Sequence, residues 1–166
     1  MDKVEECRNP SASGLSVVAL VLAAVAAPGL ACAADVTYER LLNPEPQNWL
    51  HHHRDFGAQR HSPLTAIDKT NIKNLKLAFA VPLGGKSAGE SIEATPLVDD
   101  GFMYIVDSWG VVSKIDVRSG TVGKTLWKMD PKLDKQDRNR GVALWGNLVI
   151  SVTGYFGHVI ATDRDS

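Results

Sequence analysis

The chain has 166 residues, 44% of them apolar and 22% charged, with a formal net charge of −1. These are ordinary values for a folded protein, and they exclude a disordered charged tail, collagen-like sequence and a polytopic membrane protein. Near-neutrality also argues against a nucleic-acid binder, which needs an excess of Lys and Arg to displace counterions from phosphates.

The first segment reads as a leader. Leu15–Ala27 is an uncharged apolar run of signal-peptide length, followed by Pro28-Gly29 and by Ala31-Cys32-Ala33, an A-x-A cleavage pattern. A signal peptide over residues 1–34 is therefore expected, with the mature domain spanning 35–166. The residues ahead of the run include Lys3 and Arg8 but also Asp2, Glu5 and Glu6, so they are not basic, and an uncut membrane anchor is the rival reading. Both cysteines, Cys7 and Cys32, fall in the leader. Its removal leaves no thiol for a disulfide, a Cys-based zinc site or a nucleophile.

In chain order, Asp35–Pro46 carries two prolines and reads as a polar, irregular leading segment. Trp49–Pro63 has no sustained period and reads as a structured loop with one short strand. Asp68 is placed to cap a short helix running to Leu75. From there on the pattern is of strands. Leu75–Leu83 alternates and is ended by Gly84-Gly85, and Ala94–Val98 runs into the hairpin signal Asp99-Asp100-Gly101. Phe102–Val106 is apolar on both faces, as in a strand buried between two layers. Ser108-Trp109-Gly110 turns the chain, Val111–Asp116 returns it, and Arg118-Ser119-Gly120 turns it again. Leu144–Val152 and Val159–Asp163 repeat the scheme. No amphipathic helix of ordinary length is present, and the fold class is all-β.

The repeat has a period of 47 residues: Phe102–Ser119 slides onto Val149–Ser166 without a gap. Met103 meets Ile150, Ile105 meets Val152, Trp109 meets Phe156, Gly110 meets Gly157 and Asp116 meets Asp163. A four-stranded propeller blade takes about 40–50 residues, so the period fits blades; the alternative is chance similarity between two hairpins. A ring closes with roughly four to eight blades. Two units and a leading strand therefore read as the front part of a longer circular array.

Several segments resemble one family, the exported quinoprotein alcohol dehydrogenases, which use pyrroloquinoline quinone (PQQ) inside an eight-bladed propeller. Trp49, Gly57, Gln59-Arg60, Ser62-Pro63-Leu64, Ile67, Asn71-Ile72 and Leu75 are similar to its opening pattern. Glu93–Tyr104 (EATPLVDDGFMY) is similar to its first cofactor-contacting strand and the hairpin after it. Asn139–Trp145 (NRGVALW) looks like the Arg-Gly segment that opens its next blade. Ala161–Ser166 resembles the start of its Ala-x-Asp-x-x-(Thr/Ser)-Gly-x-x-x-Trp docking motif, with a looser copy over Lys114–Trp127. The resemblance implies a partial β-propeller of about two four-stranded blades, the N-terminal portion of such an enzyme, in the periplasm; an uncut leader would instead anchor it to the inner membrane.

It also implies chemistry. The cofactor is a planar ortho-quinone with three carboxylates, held beside a Ca²⁺ ion that polarises the reactive carbonyl. An Asp takes the alcohol proton, hydride moves to the quinone, and electrons leave to an acceptor such as a c-type cytochrome. The calcium ligands and the catalytic Asp are expected beyond Ser166, so no catalytic or metal-binding residue is assigned within this chain, and the chain alone is expected to be inactive.

Two residues take cofactor-binding roles from the resemblance. Arg140 matches the arginine that faces the quinone, where a fixed guanidinium stabilises the negative charge that develops on reduction. Glu93 matches the acidic residue that meets a cofactor carboxylate; one of the two carboxyls must then carry a proton, or a donor must bridge them. Taken from the residues alone, Arg140 is a surface partner of Asp134 or Asp137, and Glu93 is a solvated strand end. Many family members place two adjacent cysteines over the quinone, and here those positions hold Asp134 and Lys135. The departure leaves relatives acting on other or larger alcohols, or propellers that no longer bind the quinone. A non-catalytic propeller scaffold of the envelope, of the outer-membrane assembly type, is the alternative reading.

The remaining constellations point elsewhere. His51-His52-His53 with His61 is the one metal-like cluster, but consecutive residues on a strand face opposite ways, and a polar loop is the default. Most of the four tryptophans, Trp49, Trp109, Trp127 and Trp145, suit packing between blades better than cofactor stacking. There is no phosphate-binding Gly loop, no Gly-x-Ser-x-Gly elbow and no Cys-x-x-Cys-His haem motif.

Overall fold

Among the described residues, seven strands build two antiparallel sheets. The first is ordered β1 (Leu97–Asp99), β2 (Phe102–Val106), β3 (Val112–Asp116), β4 (Lys124–Met129); the second is ordered β5 (Ala143–Trp145), β6 (Leu148–Thr153), β7 (His158–Asp163). This computed structural model of the chain describes residues 34–85, 90–136, 138–153 and 157–166. The expected leader before Ala34, together with Asp137 and Phe156, lies outside the described residues. Among the described residues no helix is long and apolar enough to cross a membrane. The all-β class and the meandering, blade-like sheets are as the sequence predicts.

The first hairpin follows directly from its turn. Asp100 (φ 48°) and Gly101 (φ 78°) are both left-handed, the conformation of a two-residue turn whose twist matches the flanking strands. A Cβ on Gly101 would also lie 2.3 Å from Arg118 Cγ, so glycine is required there twice over. The second sheet is the same meander one period later. The inward positions of β2, Phe102, Tyr104 and Val106, correspond to buried Val149, Ser151 and Thr153 of β6. Asp116 Oδ1 accepts from Arg118 N at 3.0 Å, and Asp163 Oδ1 accepts from Asp165 N at 2.7 Å, the same local turn in both units.

The gapless repeat fails in one place. Asp116 lies opposite Phe102, but Asp163 lies opposite Leu148 rather than Val149, because Thr153 and His158 pair across a loop one residue shorter than that between Val106 and Val112. A one-residue slip turns every side chain of a strand to the other face. Ile160 and Thr162, not Val159 and Ala161, are accordingly the better-covered residues of β7. The second sheet shows three strands of a blade among the described residues.

Three other segments differ from expectation. The leading segment is ordered, with Tyr38–Leu42 forming α1, capped by Thr37, whose hydroxyl accepts from Arg40 N at 3.4 Å. Pro44 and Pro46 keep it short. On either side of it the chain bridges to a sheet, Val36 to Gly146 of the second and Trp49 to Val98 of the first. The helix expected over Asp68–Leu75 is a single 3₁₀ turn at Ile72–Asn74. Asp68 does cap the preceding turn, accepting from Thr70 N at 2.7 Å, but Ile72 and Leu75 are exposed and no buried face offsets helix nucleation. Leu75–Leu83 forms no ladder among the described residues. Its alternation is real nonetheless: Phe79, Val81 and Leu83 lie against Met103, Ile105, Ile115 and Val117 on the outer face of β2 and β3. That layer gives β2 its second apolar side.

One core cluster draws on both sheets: Leu97, Phe102, Tyr104, Val106 and Val112 from the first, Leu144 and Val149 from the second, sealed by Val36 and Leu50. Within it lies a buried ionic lock. Arg164, just after β7, ion-pairs with Asp99 at the end of β1, and its Nε donates to the Tyr104 hydroxyl at 3.3 Å. Lys114 is also buried; its ammonium donates to the Arg164 carbonyl and stands 4.7 Å from the Phe102 ring centroid. Trp127 Nε1 donates to the same carbonyl at 3.1 Å. Lys114, Trp127 and Arg164 thus tie the first sheet to the end of the second.

Candidate cofactor-binding site

The two segments that lead into β1 and β5 run side by side. Thr95 N donates to Arg140 O at 3.2 Å, and Thr95 and Gly141 form a parallel bridge between the two units. Gly141 has φ 142°, and a Cβ there would stand 3.3 Å from Thr95 O, so the close approach needs glycine. Two residues before it, Asn139 points inward. Its Nδ2 donates to Val152 O at 2.8 Å and its Oδ1 accepts from Gly141 N at 3.1 Å. In extended chain, successive side chains alternate. With Asn139 buried, its neighbours Arg138 and Arg140 are both turned outward, with side-chain exposures of 81% and 70%.

That register brings the two predicted site residues together. Arg140 Nε lies 3.2 Å from Glu93 Oε2. Glu93 is neither free at a strand end nor is Arg140 paired with Asp134; Asp137 lies outside the described residues. A second guanidinium, that of Arg138, lies 4.0 Å from Glu93 Oε1. Sequence reasoning missed Arg138, although the Arg-Asn-Arg alternation was a usable signal once Arg140 had been singled out. Arg138, Arg140 and Thr95 line an open cavity of about 430 Å³, whose apolar wall is Leu97, Val142, Ile150 and Val152.

The donor set suits a flat, polyanionic heterocycle. One wall supplies guanidiniums and a hydroxyl, the other aliphatic surface against which a ring plane can lie. The histidine cluster only borders this place. His52 reaches the cavity, while Arg60 Nε donates to His53 Nδ1 at 2.8 Å. Desolvation, and then the Arg60 cation, hold the His53 imidazole below its usual range. Among the described residues no group of three or more His, Cys, Asp or Glu is placed to hold a metal ion. Trp49 and Trp127 pack against the core, and Trp109 Nε1 donates to Glu90 Oε1 at 2.7 Å. Trp145 is half exposed.

The family model described as "PQQ: Glucose/ethanol/alcohol dehydrogenase, beta-propeller domain" matches residues 49–160. The chain belongs to the quinoprotein alcohol dehydrogenase family. It is 38% identical over 154 residues to the quinohemoprotein alcohol dehydrogenase ADH IIB of Pseudomonas putida, covering 87% of this chain and 21% of that protein. It is 39% identical over 164 residues to the quinoprotein alcohol dehydrogenase PedH of Pseudomonas putida, covering 92% and 26%. The crystal structure of the quinohemoprotein alcohol dehydrogenase from Comamonas testosteroni superposes with a TM-score of 0.61 at 34% identity, over 70% of this chain and 18% of that one. The chain thus spans about a fifth to a quarter of the length of these family members. In family terms, the two sheets are consecutive propeller blades, and the Glu93–Arg140 pair lies at the seam between them.

Proposed function

We propose that this chain is the opening portion of a periplasmic PQQ-dependent alcohol dehydrogenase and supplies one wall of its cofactor site. The observation that carries this reading is the Glu93–Arg140 pair, 3.2 Å apart, whose arginine lines a cavity with an aliphatic wall. Arg140 would hold quinone oxygens through its terminal nitrogens while its Nε stays on Glu93, so the guanidinium is fixed before charge develops. Leu97, Val142 and Ile150, which line the cavity, would keep water off a bound ring. The bound quinone would supply the hydride acceptor for an alcohol. The described residues offer no calcium shell, so the Ca²⁺ ion and the proton-accepting Asp are assigned to the rest of a longer protein. A c-type cytochrome is the electron acceptor in this reading, and the leader supports export.

Two measurements test it. Titrating the chain with PQQ should shift the ¹H–¹⁵N resonances of Thr95 and Gly141, and Arg140→Ala should weaken that binding about tenfold or more. Dye reduction with PQQ and alcohol should be absent for the chain alone. Unchanged quinone binding by Arg140→Ala would favour the non-catalytic scaffold.

A further inference from the structure

The three consecutive histidines have no task in the cofactor site, yet each spends a ring nitrogen facing a donor. Arg60 Nε donates to His53 Nδ1 at 2.8 Å, and Arg60 Nη2 stands 3.3 Å from His52 Nε2. His53 N donates to His51 Nδ1 at 3.3 Å. A guanidinium and a backbone N–H only donate, so all three facing nitrogens are bare and all three imidazoles are neutral. Protonating any of them sets N–H against N–H.

The surroundings do not compensate such a charge. The charged groups that bear on His53 are Arg60, His52 and His51. Asp55, the carboxylate of the same loop, is already engaged: its Oδ2 lies 3.1 Å from Arg54 Nη1 and its Oδ1 accepts from Gly57 N at 2.9 Å. The cavity that His52 reaches is lined by two more cations, Arg138 and Arg140. The loop is also tightly wound. Arg54, Ala58 and Arg60 have φ of 79°, 55° and 53°, a conformation that non-glycine residues keep only when held. His51, His52 and Phe56 form one side of a second cavity, of about 220 Å³, and apolar Leu41, Leu97 and Leu144 lie on its other side.

We propose that His53 and Arg60 form an acid-released latch, seconded by His51 and His52, that holds the wound loop 51–60 against this apolar cavity. On protonation His53 Nδ1 becomes a donor, Arg60 is expelled, the loop unwinds and the cavity opens to solvent. The latched form binds no proton at His53 and the released form binds one, so falling pH favours release. The latch is complete at neutral pH and is lost as the pH falls through the range of His53, which desolvation and the Arg60 cation set below that of an ordinary histidine.

The test follows the whole chain by NMR from about pH 8 to about pH 5, across the histidine range. The Arg60 Nε–H, the Ala58 amide and the Leu41 and Leu50 methyls should move with the midpoint of His53. Within that transition the ratio of released to latched chain should rise about tenfold per pH unit, as one linked proton requires. His53→Asn, whose side-chain oxygen takes the same N–H without titrating, should lose most of this response. Arg60→Gln should give the acid positions of Leu41 and Leu50 already at pH 8 and should raise the midpoint of His53. Circular dichroism should show both variants folded. Titration of His53 without movement of Ala58, Leu41 and Leu50 would overturn the proposal. So would a full response in His53→Asn, or methyls left at their neutral positions in Arg60→Gln at pH 8.

Discussion

Asp99 and Arg164 are ion-paired across the two sheets with neither side chain exposed to solvent. The same carboxylate takes a second cation on its other oxygen, Arg40 Nη2 at 2.7 Å, and Arg40 in turn holds Glu45 through Nε at 2.8 Å. One buried anion therefore serves the leading helix, the first sheet and the end of the second. Removing it strands two guanidiniums. Asp99→Ala should cost about 3–5 kcal/mol, the usual effect of breaking a buried pair. That is comparable with the whole stability of a small domain. Loss of a cooperative urea transition is the expected result, and Arg164→Met, which removes a charge but keeps volume, should be milder.

Trp127 offers a smaller and separable test of sheet docking. Its indole N–H reaches the Arg164 carbonyl at 3.1 Å, while its ring packs against the core. Trp127→Phe retains an aromatic ring and removes the donor, so about 1 kcal/mol should be lost. Comparison of urea midpoints at constant m-value checks it.

Gly141→Ala addresses the seam itself. A side chain at φ 142° is strained, and its Cβ would press on Thr95 O at 3.3 Å. Destabilisation of about 1–3 kcal/mol is expected from the backbone alone. The sharper readout is local: the Thr95 amide, which donates to Arg140 O, should lose hydrogen-exchange protection before β2 and β3 do.

The acid response follows from two carboxylates. Hydrogen bonding by Arg40 lowers Glu45 to about 2, and hydrogen bonding by Arg118 lowers Asp116 to about 2. Both are below their unfolded values, so the unfolded chain binds more protons. Their contribution is complete above about pH 5 and is lost as the pH falls toward 2. Chemical denaturation between pH 6 and pH 2 should show this decline, and Glu45→Gln should flatten part of it. Both groups are partly open to solvent, so added salt should shrink the effect.

How legible the molecule was in its sequence depended on the range of the interaction. Turns and strand faces were readable because Asp100-Gly101 and the apolar run Phe102–Val106 constrain conformation through neighbours a few residues away. The β6–β7 register was not, because it hangs on the loop between Thr153 and His158 being one residue shorter, which a gapless comparison hides. Leu75–Leu83 has a strand's alternation, but pattern alone does not say whether the apolar side meets a ladder or a sheet face. The short helix α1 escaped because its signal is a single Thr37 cap ahead of two prolines. At the site, Glu93 and Arg140 came from the family resemblance, whereas Arg138 became visible only once Asn139 was seen to be buried.

The parallel bridge between Thr95 and Gly141 means that Glu93 and Arg140 belong to different blades. A molecule gripped by both residues must therefore act as a clasp on the seam. Occupancy and sheet docking would then be linked equilibria, each strengthening the other by the same factor, so that such a ligand would help to hold the two sheets together.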